Sequence, residues 1–487
     1  MNCEYPRLML AAPKSGSGKT MMTCGLLTAF LNREISCRSF KCGPDYIDPM
    51  FHKYVLNIDG GNLDTFFLEK ERVRAQFMAQ AKGAGLSVIE GVMGYYDGVG
   101  GDSTFSSSYE VACTVDAPVV LVLDCKGASL SLAAMAKGFL EYRENSHIRG
   151  VILNRTSELM AERLKPAMEE LGLKVYGYLP DCEEGRLDSR HLGLVLPGEQ
   201  KDLKEQLDKL AGKLEETIDM DGLLRLAQSA GPLPESEENT AIPPRFGESA
   251  ALSPESLEES AFLSNFGKDA AAPLYHSAVE KEVLIGLAQD EAFCFYYQEN
   301  LRLLEEMGAK LIPFSPIHDK KLPEGIQGIL FGGGYPELYP EELSQNKSMM
   351  QNIREASERF LPILAECGGF MYLHEELETR DNKIYPMAGI IPGKAFPTSR
   401  LLRFGYIEAF PLEDGLFLKK GESIRGHEFH YWDSTNNGSR MEARKPGGNR
   451  SWNCVHAQGN LLAGFPHFYY PSNPVFAKRF LEACRNL

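Results

Sequence analysis

The chain has 487 residues, too many for one ordinary domain, so two or three are expected. Its 43% hydrophobic and 24% charged residues give the balance of a globular protein, and a net charge of −16 argues against general affinity for nucleic acid or an anionic membrane. Its 11 cysteines show neither C-x-x-C pairs nor zinc-type spacing, which argues against a disulfide framework or structural metal site and makes the cytoplasm the expected compartment.

In chain order, the first element is the apolar run "RLMLAA" (7–12), which reads as a buried strand and not as a signal peptide. It opens into "APKSGSGKT", where Gly18, Lys19 and Thr20 match the end of a phosphate-binding loop and Pro13 stands at the first glycine position. Such a loop turns successive backbone N–H groups toward phosphate oxygens, and the helix that follows (19–31) presents its positive end to the same anion. Gly16, Ser17 and Gly18 are expected to cradle ATP, Lys19 to reach its terminal phosphates and Thr20 to ligate Mg²⁺.

Further strands are predicted at "LSVIEG" (86–91), "PVVLVLD" (118–124), "RGVILNR" (149–155) and "KVYGYLP" (174–180), with helix-length segments such as 129–144 between them. This alternation predicts an α/β fold, a doubly wound and mostly parallel sheet. Acidic residues follow two strands. "KCGPDYIDPMFH" supplies Asp45 and Asp48, and "VIEGVMGYYDG" supplies Glu90 and then Asp97. Carboxylates at strand ends are where metal and substrate meet in open α/β sheets, so Asp45, Asp48 and Glu90 are the expected metal ligands. Asp97 joins the site as a substrate candidate, although an Asp before Gly also suits a turn.

From 229 to 278 the chain is rich in Pro, Ser, Glu and Ala, and reads as a mobile linker or insertion between domains at 1–228 and 279–487. Alternation then restarts with "VLIGLAQD" (283–290), an amphipathic "ENLRLLEEMGA", "KLIPFSP" and "GILFGGGYPEL" (328–338). In "PILAECGGFMYL" (362–373) an apolar strand runs into Cys367 and then a helix, the geometry of a nucleophile elbow. The helix N-terminus is expected to lower the thiol pKa. Backbone N–H groups at Gly333 or Gly334, with Gly368, are expected to form an oxyanion hole. The base is open among His427, His430, His456 and His467, because it need only be near in space. Lys394, Arg400 and Arg403 in "GKAFPTSRLLRFGY" offer part of a basic pocket, or a solvated basic surface.

Together "APKSGSGKT", "KCGPDYIDPMFH", "EGVMGYYDG", "RHLGLVLPGE", "FGGGYPEL", "AECGGFMYL" and "RGHEFHY" stand in the order seen in cobyrinic acid a,c-diamide synthases, and outside 229–278 the chain resembles that family. The resemblance implies a dethiobiotin synthetase-like domain binding ATP, Mg²⁺ and corrinoid carboxylates, followed by a class I glutamine amidotransferase-like α/β domain. It implies Lys14 as the second lysine of a deviant phosphate loop, Asn154 as a reader of adenine, His467 as the base and a homodimer. The implied substrates are ATP, glutamine and a tetrapyrrole polycarboxylate, with no nucleic acid or membrane partner. The resemblance further implies that Cys367 releases ammonia from glutamine and that an acyl phosphate activates the acid, and a shielded passage for the ammonia is expected.

The chain departs from the class I pattern in two places. Phe468 and Tyr469 follow His467 where a glutamate is usual two residues on, and Ala365 replaces a glycine of the elbow. The orienting partner of His467 is thus unassigned. Ni-sirohydrochlorin or hydrogenobyrinic acid as substrate stays open. So does a nucleotide-switched binding protein with an inactive amidotransferase domain, against which Cys367, His467 and the glycine corners count.

Overall fold

The computed structural model describes residues 4–182, 200–234 and 282–486. The chain divides into two units, Met1–Ser236 and Glu237–Leu487. The motif "RHLGLVLPGE" and residues 235–278 of the expected linker lie outside the described residues. Residues 229–234 pack on the first unit: Arg7 donates to the Gly231 carbonyl at 2.8 Å, and Leu233 is buried.

The first unit is built on a seven-stranded, all-parallel sheet. Its strands are β1 (Arg7–Ala11), β2 (Cys37–Cys42), β3 (Gly60–Leu63), β4 (Leu86–Glu90), β5 (Val119–Asp124), β6 (Ile148–Asn154) and β7 (Lys174–Leu179), in the order β3-β2-β4-β1-β5-β6-β7. Every residue of β1 and β4 is buried, which is why both read as unbroken apolar runs and not as alternating ones. Helix α1 (Lys19–Asn32) is apolar nearly all round because it is covered on two sides, by the sheet and by the helix Gln200–Thr217. A Cβ at Gly25 would meet Leu214 Cδ1 at 2.6 Å, so the two helices approach closely there. Large side chains fully buried in this unit, such as Phe30 and Phe40, each contribute roughly 1.5–3 kcal/mol.

The second unit centres on a six-stranded sheet of β8 (Val283–Ala288), β9 (Ala309–Phe314), β10 (Gly328–Phe331), β11 (Ile363–Glu366), β20 (His456–Gln458) and β21 (Leu461–Gly464). The order is β20-β21-β11-β10-β8-β9, with only β20 antiparallel. Two smaller sheets were not foreseen. One is made of β12 (His374–Glu378), β13 (Ile384–Pro386), β14 (Ile391–Pro397) and β17 (Trp432–Ser434). The other is antiparallel and carries β15 (Arg403–Pro411), β16 (Ile424–His430), β18 (Met441–Arg444), β19 (Ser451–Cys454) and β22 (His467–Phe468). They bring two distant stretches together, because β22 pairs with β16 and sets His467 opposite His427.

The described cysteines are free thiols, and among the described residues no helix is long and apolar enough to cross a membrane.

Candidate functional site

Two sites emerge, one at the strand ends of each unit. In the first, β1, β2 and β4 are neighbours, so their C-terminal ends deliver the phosphate loop, Lys41 and Glu90 to one place. Gly18, at φ 92°, caps α1 in a left-handed conformation that glycine adopts without strain. The loop is tied down by its own groups: Ser17 Oγ donates to the Lys14 carbonyl at 3.0 Å, while the Lys14 side chain is exposed. Lys19 Nζ donates to the Met93 carbonyl at 2.6 Å. Burial, and then the charge of Lys41, bring the Lys19 amine down to about 8.

The structure brings Thr20, Asp48 and Glu90 together. The Thr20 hydroxyl lies 2.6 Å from Glu90 Oε1 and 3.4 Å from Asp48 Oδ2. Between the two carboxylates sits Lys41, which sequence reasoning missed. Its amine is 2.7 Å from Glu90, hydrogen-bonded to Asp48, and 3.8 Å from Asp45. Lys41 and Glu90 are register partners across β2 and β4, so their side chains stand side by side. Burial raises Glu90 to about 7 and Asp45 to about 6, with the Asp48 charge adding to both. Asp48 goes the other way: burial opposes, but the Lys41 charge and hydrogen bond hold it below the usual range.

The metal expectation needs correction in detail. Among the described residues no three His, Cys, Asp or Glu side chains converge on one ion, because Lys41 takes the central place. Asp45 faces the backbone instead, its Oδ1 accepting the N–H groups of Ile47 (2.9 Å) and Asp48 (3.4 Å). What remains suits Mg²⁺ chemically: a hydroxyl and two carboxylates, with Glu90 Oε2 buried and without a hydrogen-bond partner. Asp97 Oδ2 accepts the Gly94 N–H at 2.9 Å, so it closes the turn after β4. Asn154, at the end of β6, donates to the Ser17 carbonyl at 2.9 Å and touches the loop directly.

In the second unit Cys367 follows β11 with φ 46° and ψ −100°, a backbone state rare for a residue with a side chain. The helix Gly368–Tyr372 starts there, as the elbow reading expects. The thiol expectation is reversed. Burial, and then the charges of Glu337, Glu428 and Glu366, push its pKa well above the usual value, and the Gly368 N–H opposes them only in part. A five-residue helix cannot offset burial and three carboxylates.

His467 lies against the glycine corner: a Cβ on Gly333 would come within 2.4 Å of His467 Cε1, so only glycine leaves room for the ring. That revises the role of Gly333, whose N–H is donated to the Phe295 carbonyl at 3.3 Å. Gly334 is better placed as an oxyanion donor, since a Cβ on Gly368 would meet the Gly334 nitrogen at 2.9 Å. His430 is structural, stacked on Phe465 at 4.0 Å and bonded to the Trp432 carbonyl and Glu428. His456 bonds the Asn436 carbonyl, and burial holds His427 down to about 3. Arg403 lies 3.9 Å from Glu428 and over the Trp452 ring, while Arg400 is exposed. Glu337 is a second miss: burial raises it to about 7, and its Oε2 is buried without a partner.

Residues 8–195 match the family model of the CobQ/CobB/MinD/ParA nucleotide binding domain, and residues 284–475 match that of the CobB/CobQ-like glutamine amidotransferase domain. The chain is 40% identical over 480 residues to the cobyrinate a,c-diamide synthase of Caldanaerobacter subterraneus subsp. tengcongensis, covering 98% of both chains. It is 37% identical over 497 residues to that of Salmonella typhimurium, covering 100% of both. The Listeria innocua serovar 6a enzyme of the same name is 36% identical, with 98% of this chain and 99% of that one covered.

Proposed function

This chain belongs to the cobyrinate a,c-diamide synthase family, and from that premise we propose that it amidates the a and c carboxylates of cobyrinic acid, using ATP and glutamine. The observation that carries the reading is the presence on one chain of a phosphate loop facing Thr20, Asp48 and Glu90, and of Cys367 on an elbow beside a glycine corner covered by His467.

Ammonia does not displace hydroxide from a carboxylate, so the acid must first be activated. The first unit transfers the γ-phosphoryl group of ATP to the carboxylate and gives an acyl phosphate. The backbone of Gly16, Ser17 and Gly18 holds the phosphates, Lys14 and Lys19 balance their charge, and Asn154 faces the base. Mg²⁺ would be held by Thr20, Asp48 and Glu90, and supplies neutralisation of charge on the phosphates when bound. Lys41 keeps Asp48 and Glu90 from repelling each other before the nucleotide arrives. Asp97, Arg400 and Arg403 serve as contacts for the corrinoid.

In the second unit His467 removes the Cys367 proton, and the thiolate attacks the glutamine amide. The N–H groups of Gly334 and Gly368 stabilise the oxyanion. His467 returns the proton to the leaving ammonia, and water then frees glutamate from the thioester. Ammonia displaces phosphate from the acyl phosphate to give the amide. The enzyme acts in the cytoplasm as a homodimer.

Incubation of the protein with cobyrinic acid, MgATP and glutamine tests the reading. Two successive acid-to-amide conversions by mass, each with one ADP and one glutamate, are expected. Amidation of Ni-sirohydrochlorin or hydrogenobyrinic acid, with none of cobyrinic acid, overturns the substrate assignment.

A further inference from the structure

An imidazole acting as a general base needs its far nitrogen held, so that the ring keeps one tautomer and the imidazolium is stabilised as it forms. In this chain the residue two positions after His467 is Tyr469, which carries no carboxylate. We propose that Glu366, the residue immediately before the nucleophile, is the positioning carboxylate for His467. Its Oε2 lies 3.7 Å from His467 Nδ1, and both side chains are buried. That is an ion-pair separation, of the kind that tightens when substrate binds.

The surroundings fix both partners. Glu366 Oε1 accepts the Phe468 N–H and the Tyr470 hydroxyl, each at 3.3 Å, which leaves Oε2 turned to the ring. Asn300 clamps the same segment, donating to the Phe468 carbonyl at 2.7 Å and accepting the Tyr470 N–H at 2.8 Å. The opposite edge of the imidazole, Cε1 and Nε2, faces Gly333 in the glycine corner. Glu428, also near the thiol, is committed elsewhere, to His430 at 3.3 Å and the Trp452 indole at 3.2 Å. The strand therefore places the nucleophile and the carboxylate that positions its base at adjacent residues. During the reaction the proton moves from Cys367 Sγ to His467 Nε2 and then to the leaving nitrogen, while Glu366 faces the far nitrogen of the ring.

This inference rests on the glutaminase reading above, so glutamate release by the unaltered full-length protein is measured first; its absence would sink that reading. In Glu366→Gln, kcat for glutamate release is expected to fall by about 10²-fold with KM for glutamine nearly unchanged. Glu366→Asp should restore part of the rate, and amidation supported by added ammonia should persist in both. An unchanged kcat in Glu366→Gln, or a loss expressed wholly in KM, overturns the proposal. Should Glu366→Gln fail to fold, Tyr470→Phe decides: releasing Oε1 should lower kcat about threefold or more at constant KM, and an unchanged kcat there overturns it.

Discussion

The two sites prepare their chemistry in opposite ways. In the first unit the preparation is charge: Lys41 is locked between Asp48 and Glu90, with Lys19 close by, so the site is electrostatically assembled before nucleotide binds. In the second it is backbone geometry. Cys367 is held at φ 46° and ψ −100°, while burial, and then neighbouring carboxylates, push its thiol pKa up. Phosphoryl transfer asks the protein mainly for fixed charges. A nucleophile asks for exposure at the right moment, and a thiol that stays protonated until a base takes its proton reacts little in the absence of substrate.

The contrast breaks most sharply if either site proves dispensable. Lys19→Ala should abolish amidation with glutamine and with ammonia alike, by about 10³-fold or more, and leave glutamate release standing. Cys367→Ser should do the reverse, losing glutamine-dependent amidation by a similar factor while keeping ammonia-dependent amidation. Steady-state assays of both activities on both variants form the test. Loss of ammonia-dependent amidation in a folded Cys367→Ser protein would mean the sites do not divide the chemistry as described.

A second prediction tests the charge device by itself. Lys41→Met leaves Asp48 and Glu90 facing each other in a buried site, and breaking a buried pair by removing one partner costs about 3–5 kcal/mol. Urea unfolding followed by a first-unit probe should show a loss of that order. A loss below about 1 kcal/mol would mean that water or relaxation already screens the carboxylates.

What the sequence disclosed follows the same division. The phosphate loop, Glu90 and the elbow are legible because each lies within a few residues of a strand end, and local pattern carries the signal. Lys41 was hidden by its setting. Between Phe40 and Cys42 it reads as one lysine in a strand, and only the pairing of β2 with β4 shows that it neutralises Glu90. The choice among four histidines was equally non-local, since it depends on β22 pairing with β16 some 40 residues earlier. Some strands of the small sheets, such as Trp432–Ser434, are too short for periodicity to register. The raised thiol pKa is not legible because the helix is local and visible, while the burial of Cys367, and then the approach of Glu337 and Glu428, depend on distant parts of the chain.

The floor beneath the elbow gives a third test, by pH. His374 bonds the Phe370 carbonyl through Nδ1 at 2.8 Å, and the Ser434 hydroxyl at 2.6 Å through Nε2. A carbonyl only accepts, so Nδ1 carries the proton and the neutral ring fits the site. Burial lowers its pKa to about 4, against the pull of that carbonyl. The unfolded chain therefore binds more protons between pH 6.5 and 4, and stability falls as pH drops through that window. The loss amounts to about 3 kcal/mol and is complete below pH 4. His374→Gln should flatten this part of the second unit's stability profile, and an unchanged slope would assign the acid response to other groups.

The smallest expected effect concerns the geometry of the charged site. Asn154 is 1% exposed, donates to the Ser17 carbonyl at 2.9 Å, and accepts the Arg155 N–H at 3.0 Å through Oδ1. A Cβ on Gly18 would meet its amide nitrogen at 2.3 Å, so the loop rests directly on this side chain. Arg155 reinforces the contact, donating to the Gly16 carbonyl at 3.2 Å while paired with Asp124. Asn154→Ala removes both hydrogen bonds; the one to the loop, worth about 1 kcal/mol, bears on the nucleotide, and its loss should raise KM for ATP about fivefold and leave glutamate release untouched. Reading of adenine by the same amide adds a second signature, a fall in the preference for ATP over GTP, whereas a loop clamp alone weakens both nucleotides equally. An unchanged KM for ATP would show that the loop holds its shape through Ser17 and Lys14 alone, and that even in the charged site the backbone does part of the preparation.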